Sequence, residues 1–582
     1  MRNLILAISL LTCISYYACA QKNQTGNHPT ESGTSSTVVL LNNLNNKVPL
    51  KQLDERKIAS MNTDVTFDSL LNYYADITPI LPGDDVNEYN TLIVEINDKL
   101  LADEPFMQSL KEYNKTEDLI LVGKGPYTSL AKLNDIETPI IWTTDTSKNA
   151  SAINAQVVFG GIAVNGVLPM NVSANFKKGD GNKTEKIRLG YTDPDNLGIN
   201  GGQLTKEIDA IAKEMIDGKA APGAVVMAVK DGHVIFEKAY GNHYYDKNEP
   251  MSTHDIFDLA SVTKIAATTL AVMKLEDENK IDLTKTMGYY LEDAAQSNKK
   301  DVKLQDVMLH QGGFIPYIPF YRELTEADYR TDSSAAFPTK VGENYYLRKN
   351  YYEEVMWPTM LSSKVKAPGE YVYSDISMYV MQHVIEKQTG MPEEVYVKEN
   401  FYDKLGMYST GFNPWQRFPQ TRIVPTELDK TFRKSQLIGY VHDQGAAMAG
   451  GVAGHAGLFA TANDLAIYGQ LLLNKGTYGG ENYIKPATIE KYTVQFSDNS
   501  RRGLGFDRWS PEPDSEYPSK FASPSTFGHT GYTGTCIWID PDNQLVYIFL
   551  SNRVQPTVSP YLGKLDIRSR IQDAIYKAIS KK

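Results

Sequence analysis

Ser261 and Lys264 stand three positions apart in the stretch DLASVTKIAATT, Asp258 to Thr269. Residues three apart on a helix share a face, so the Lys264 amine can sit beside the Ser261 hydroxyl. A serine hydroxyl is a weak nucleophile until a base takes its proton, and a lysine whose pKa is lowered in a partly desolvated cleft can be that base. Small neighbours, Ala260, Ala266 and Ala267, leave room for a substrate and for close helix packing. The spacing alone is common, and an ordinary amphipathic helix start accounts for it equally well. Two later stretches change the weighing. Tyr373-Ser374-Asp375 follows a Pro-Gly turn and precedes a helical run, and His529-Thr530-Gly531 opens an apolar strand.

The elements around these residues read as two domains. Residues 38–200 alternate short apolar runs (TLIVEIN, DLILVGKG, TPIIWTT) with helical patterns, which predicts an open, mostly parallel α/β layer domain. No phosphate loop and no Gly-x-Gly-x-x-Gly follows a strand there, so the first domain advertises no chemistry of its own. A loop-like stretch ends it near residue 200. Beyond it, Leu204, Ile208, Ile211 and Met215 mark one face of a helix. Two β-rich runs then meet at Lys230-Asp231-Gly232, a hairpin signal, and two more close the chain around Pro541-Asp542-Asn543. Strands from both ends flanking a helical middle predict an antiparallel sheet with helices against it over residues 201–582, an α+β plan.

The 582 residues are 42% hydrophobic, ample for buried cores, and the formal net charge is −11. No block of Lys or Arg interrupts that acidity, which argues against a nucleic-acid partner. Residues 1–20 read as an export signal, with Arg2, an apolar run from Leu4 to Leu11, and a small-residue site at Ala18-Cys19-Ala20. Cleavage after Ala20 gives a periplasmic protein, and lipidation at Cys19 gives a membrane-attached one. Residues 21–37 are a polar, Gly/Ser/Thr-rich spacer. Cys13 and Cys19 lie in the leader, so Cys536 stands alone and reads as a buried structural thiol. Nine histidines form no zinc motif, so neither a metal nor a cofactor is expected. His310, His442 and His455 read as structural or supporting side chains.

Ser-x-x-Lys, a tyrosine motif and a Lys/His-Thr-Gly strand, in that order, form the signature of penicillin-recognising serine hydrolases. Residues from about 204 onward resemble a serine β-lactamase-related domain of the class C and penicillin-binding-protein type. The likeness extends to APGAVVMAVKDGHVIFEKAYG, MLHQGGF, GGVAGHAGLFATANDLA and FLSNRV, while GYVHD and GHAGLF resemble the carboxypeptidase-like and muramoyl-peptide amidase-like members. The first domain resembles the C-terminal domain of family-three glycoside hydrolases through AINAQVVFGGIAVNGVLPMNV. N-acetylglucosaminidase–β-lactamase fusions have this order with a catalytic barrel in front. The spacer leaves no room for that barrel, so the glycosidase nucleophile is expected to be missing.

The resemblance implies that Ser261 is the acylated nucleophile and that Lys264 and Tyr373 share the base and acid work. It implies an oxyanion hole from the backbone N–H groups of Ser261 and Tyr532, with His529 and Thr530 facing the substrate carboxylate and Gly531 among the substrate-binding or oxyanion residues. Two residues depart from it. His529 replaces the usual lysine, exchanging a fixed charge for one expected to depend on pH. Asp375 replaces an asparagine amide, which suggests a substrate with hydrogen-bond donors or a cationic group. The expected activity is metal-free cleavage of an amide or ester bond in peptidoglycan-derived peptides or muropeptides. Carboxypeptidase-like or amidase-like action leads, with a β-lactamase or esterase as alternative. A non-catalytic wall-binding protein is the alternative from another class.

Overall fold

The computed structural model describes residues 38–62, 65–114, 118–512 and 516–580. The expected leader with Cys13 and Cys19, and the spacer, lie outside the described residues.

The apolar runs of the first domain become β1 (Val38–Leu41), β2 (Ile58–Met61), β3 (Ile77–Pro79), β4 (Thr91–Asn97), β5 (Asp118–Lys124) and β6 (Ile140–Thr143). They form one sheet in the order β1-β6-β5-β4-β2-β3. Strands β2 to β6 pair in parallel, and β1 closes one edge antiparallel to β6. Parallel strands need cover on both faces. Ile93, Ile120 and Val122 face a core shared with Phe67, Leu71 and Val157. Leu92, Val94 and Leu121 face the other way, towards Phe106 and Leu110 of the helix Glu104–Tyr113. The domain is mixed α/β, as its texture implied.

The second domain is built on a seven-stranded sheet. β7 (Gly190–Tyr191), β8 (Gly223–Lys230) and β9 (His233–Gly241) enter from its start. Asp507–Arg508, Phe527–Thr530, Cys536–Asp540 and Leu545–Ser551 enter from its end. The β8–β9 turn has Asp231 at φ 51 and Gly232 at φ 73, the left-handed pair that a two-residue hairpin requires. Leu545–Ser551 runs antiparallel to β8, with Leu545 opposite Lys230 and Ser551 opposite Ala224, so the two ends of the domain meet at the centre of the sheet. Side chains alternate along β8. Val225, Met227 and Val229 face the helical middle, whereas Ala224, Val226 and Ala228 face Leu204, Ile208, Ile571 and Ile575 of two outer helices. β7 pairs with β9, so the loop-like stretch before residue 200 already adds an edge to this sheet.

The segment carrying Ser261 is an irregular helix. A 3-10 turn at Ala260–Val262 leads into a π-helical stretch, Lys264–Thr269, before regular α-helix at Leu270–Asp277. Hydroxyl donors meet the carbonyls of the wide stretch. Tyr468 donates to the Ile265 carbonyl at 2.8 Å and Tyr402 to that of Ala266 at 2.9 Å. Widened turns of this sort arise where a side chain inserts into the backbone ladder, and they gather at functional sites. Ala260 holds φ 46, a left-handed conformation costly for a non-glycine residue. Asp258 Oδ1 accepts the Ala260 N–H at 2.8 Å and fixes the turn that presents Ser261.

Candidate active site

Three distant segments converge on the Ser261 hydroxyl. Lys264 Nζ donates to Ser261 Oγ at 2.9 Å, to Asp375 Oδ1 at 2.9 Å and to the His455 carbonyl at 3.1 Å. Its three ammonium protons are thereby all used, and its side chain is fully buried. Tyr373 lies beside it, with Lys264 Nζ 4.9 Å from the ring centroid. The ring of Tyr373 also stands 4.7 Å from that of His310 and 6.1 Å from that of His529. The expected nucleophile, amine and phenol therefore share one site.

The charge on Lys264 differs from expectation. Burial alone pushes the ammonium down, yet Asp375 first and Tyr373 next hold it above the ordinary lysine value. Lys264 is not a lysine lowered towards neutrality in a desolvated cleft. It is a buried cation with a carboxylate partner, and in this state it donates to Ser261 rather than accepting from it.

The strand Phe527–Thr530 brings His529 beside Tyr373. Thr533 Oγ1 donates to the Asp258 carbonyl at 2.7 Å and Thr535 Oγ1 to that of Leu259 at 3.1 Å, tying this strand pair to the nucleophile turn. Gly531 lies so close to that turn that a Cβ there would come within 2.4 Å of the Leu259 carbonyl oxygen. Thr530 is half-buried at the strand end, and Tyr532 is 53% exposed. Tyr532 stacks on His442 with ring centroids 5.4 Å apart.

His529 carries no pH-dependent charge near neutrality, contrary to the expectation from its type. Burial first, then Arg502 and Lys264, push its imidazolium down to about 3. Its Nδ1 lies 2.8 Å from its neighbour's carbonyl oxygen, that of Thr530, and its Nε2 lies 3.3 Å from Arg502 Nη1. The pattern fits one neutral tautomer, Nδ1 donating and Nε2 accepting. The fixed positive charge at this end belongs to Arg502, which is buried and also donates from Nε to the Tyr371 hydroxyl at 2.9 Å. Sequence reasoning missed Arg502. Its only signal was an Arg-Arg-Gly stretch without a recognisable motif.

Asp443 was missed as well, although it lies within the quoted GYVHD. Its Oδ1 caps the helix Gln444–Met448 through the Ala446 N–H at 2.7 Å and lies 2.9 Å from His455 Nε2. Asp375, Asp443 and His455 form one group whose donor atoms lie within 4.8 Å of one another. His310 supports the site from behind. It is fully buried, its imidazolium is pushed well down by burial and by Arg502, and its Nδ1 accepts the Ser374 N–H at 3.3 Å. Cys536 is buried and far outside thiolate chemistry, its thiol raised to about 11 by burial.

The arrangement pairs a serine hydroxyl with an ammonium, a phenol and a buried guanidinium, which suits acyl transfer from a substrate bearing a carboxylate. A family model described as Beta-lactamase matches residues 208–569. A protein of Escherichia coli (strain K12), named "Putative D-alanyl-D-alanine carboxypeptidase", is 30% identical over 433 residues, which cover 68% of this chain and 94% of that one. A namesake from Salmonella typhimurium is 31% identical over 401 residues, 63% of this chain and 88% of that protein. The solved structure of simvastatin synthase (LovD) from Aspergillus terreus shares the fold at a TM-score of 0.50 and 17% identity, covering 65% of this chain and 99% of that one. With the motifs in order and their side chains gathered at one hydroxyl, this chain belongs to the β-lactamase family, as a serine hydrolase of the penicillin-binding-protein type.

Proposed function

We propose that this chain is an exported carboxypeptidase-like hydrolase of peptidoglycan-derived peptides, working through an acyl-enzyme on Ser261. One observation carries the reading. Lys264, bonded to Ser261 and Asp375, and Arg502, in contact with the neutral His529, both approach the Tyr373 ring, at 4.9 and 5.2 Å from its centroid. An acyl-transfer centre thus lies beside a built-in carboxylate receptor. The names of the relatives support the same substrate class.

In this mechanism Ser261 Oγ attacks the scissile carbonyl while its proton passes to the Lys264–Tyr373 pair, which reacts in the form that has already given up one proton. The oxyanion rests on the backbone N–H groups of Ser261 and Tyr532, a contribution of about 3–4 kcal/mol per donor. The C–N bond breaks as the proton reaches the leaving amine, and the terminal amino acid departs. Water then attacks the ester, gives its proton to the same relay and restores the Ser261 hydroxyl. Arg502, His529 and Thr530 hold the substrate carboxylate throughout. Residues 1–20 act as leader, and the spacer separates the enzyme from its point of export. The first domain, related on this reading to the C-terminal domain of family-three glycoside hydrolases, serves as a docking or spacing module.

The deciding experiment incubates wild type and Ser261→Ala with defined muropeptides and follows the products by mass spectrometry. Loss of one terminal D-alanine, dependent on Ser261, is expected. A protein that takes no covalent label from a fluorescent penicillin or a fluorophosphonate would instead be a binding module.

A further inference from the structure

The part of the site around Asp375 and Asp443 is acidic. Asp375 and Asp443 are both partly exposed, 25% and 33% at their side chains. Each has one oxygen engaged, Asp375 Oδ1 by Lys264 and Asp443 Oδ1 by His455 and the Ala446 N–H. No hydrogen bond from the described residues reaches the Oδ2 atom of either. A second observation is independent of these carboxylates. The hydroxyl of Tyr379 is buried, with the residue 4% exposed, and has no hydrogen-bond partner. It is aimed at the same place, because a Cβ built on Gly445 would meet Tyr379 Oη at 2.9 Å and Asp443 Oδ1 at 3.3 Å. An orphaned buried hydroxyl is costly, and its position near the Asp443 and Asp375 carboxylates points to a ligand that donates hydrogen bonds.

We propose that this acidic corner binds an ammonium group on the acyl-donor residue, so that the preferred substrate is a short peptide with a free amino terminus. An ammonium has three donors, and Asp375 Oδ2, Asp443 Oδ2 and Tyr379 Oη are three acceptors. Lys264 offsets one of the two carboxylates and leaves the other for an incoming cation. A divalent ion fits less well. It would share Asp375 with an ammonium nitrogen 2.9 Å from that carboxylate, and like charges would repel. The corner is also near the reacting atoms. Two successive 2.9 Å contacts connect Ser261 Oγ to Asp375, a span suited to an α-ammonium two bonds from the carbonyl carbon. With Arg502 as carboxylate receptor, the site complements both termini of a zwitterionic dipeptide. Cleavage transfers the aminoacyl group to Ser261 and releases the second amino acid, and water then frees the first.

This inference rests on the serine-hydrolase reading, and its test separates the two. Purified full chain is given D-Ala-D-Ala and N-acetyl-D-Ala-D-Ala, and in parallel D-alanine 4-nitroanilide and its N-acetyl form. The expected result is a kcat/KM at least about tenfold higher for the free amine of each pair. In Asp443→Asn, which keeps the helix-capping oxygen, that ratio should collapse towards one. Equal or reversed preference in the wild type overturns the proposal, as does an undiminished ratio in Asp443→Asn. So does a preference that EDTA abolishes, because a metal would then occupy the corner. Preference in the anilide pair with both dipeptides inert supports the ammonium corner and overturns the carboxypeptidase reading. Failure of both pairs in a protein that still takes the Ser261-dependent fluorophosphonate label overturns the ammonium corner and leaves the serine hydrolase standing.

Discussion

The buried ammonium of Lys264 donates to the carboxylate of Asp375 at 2.9 Å, and this ion pair keeps Lys264 charged beside Ser261. A buried cation is stable only with compensating partners, and here Asp375 and Tyr373 together outweigh the loss of hydration. The Ser261 hydroxyl therefore faces a donor in the resting enzyme.

Removing that anion should free the base. In Asp375→Asn, burial acts on Lys264 without its main opposing charge, so the ammonium falls and the neutral amine becomes more populated near pH 7. The acid limb of the pH profile for Ser261 acylation should move to lower pH. Acylation by a fluorescent penicillin, followed from pH 5 to 10 in both proteins, checks this. Superimposable profiles would show that Lys264 does not limit acylation.

Arg502 should govern recognition of the substrate carboxylate. A hydrogen bond to a charged group contributes about 1.5–3 kcal/mol, which is roughly 10- to 150-fold. Arg502→Ala should lower kcat/KM by that factor for a peptide ending in a free carboxylate and far less for the same peptide amidated. A uniform loss on both peptides would assign Arg502 to scaffolding alone.

Acid should destabilise the fold before the carboxylates titrate. The His529 imidazolium is pushed from 6.5 to about 3 and that of His383 from 6.5 to about 4, burial leading in both. Below pH 6.5 the unfolded chain takes up protons that the folded chain refuses, so stability falls as pH drops towards these values. The slope is at most about 1.4 kcal/mol per pH unit for each group. Urea unfolding at pH 7.5, 6.5 and 5.5 should show midpoints declining below 6.5, with a shallower decline in His383→Phe.

Glu393 should act in the opposite direction. It is fully buried against the Lys264–Thr269 stretch, and burial raises its carboxyl from 4.5 to about 8. Thr268 Oγ1 lies 2.6 Å from both Glu393 Oε1 and the Gly454 carbonyl. A hydroxyl has one proton to give, so both short contacts are satisfied only when Glu393 carries its own. The folded state thus holds a proton that the unfolded state releases above 4.5, and stability falls as pH rises from there towards 8. Glu393→Gln should be more stable than wild type at pH 9 and show a flatter thermal-unfolding profile between pH 6 and 9. An unchanged profile would place the titration elsewhere.

Much of the architecture was legible in the chain because its signals are local. The turn at Asp231-Gly232, the alternation of Ala224 to Val229 and the amphipathic run from Leu204 to Met215 each depend on neighbours a few positions away. The spacing of Ser261 and Lys264 belongs to the same class, although their helix turned out to begin as a 3-10 turn and a π stretch. Hydroxyls from Tyr402 and Tyr468, far along the chain, meet the carbonyls of that stretch, which no local pattern reports.

The sequence by itself singled out Ser261, Lys264, Tyr373, Asp375 and His529 and the order in which they enter, but not Arg502 or Asp443. Only the tertiary structure decided their charges. Lys264 and Asp375 are 111 positions apart, and Arg502 and His529 are 27 apart. A proton's free energy on any of these groups depends on burial and on charges a few ångströms away, quantities that exist only once the chain has folded. That is why a lysine expected to be lowered is raised, and a histidine expected to titrate stays neutral while an unremarked arginine carries the charge.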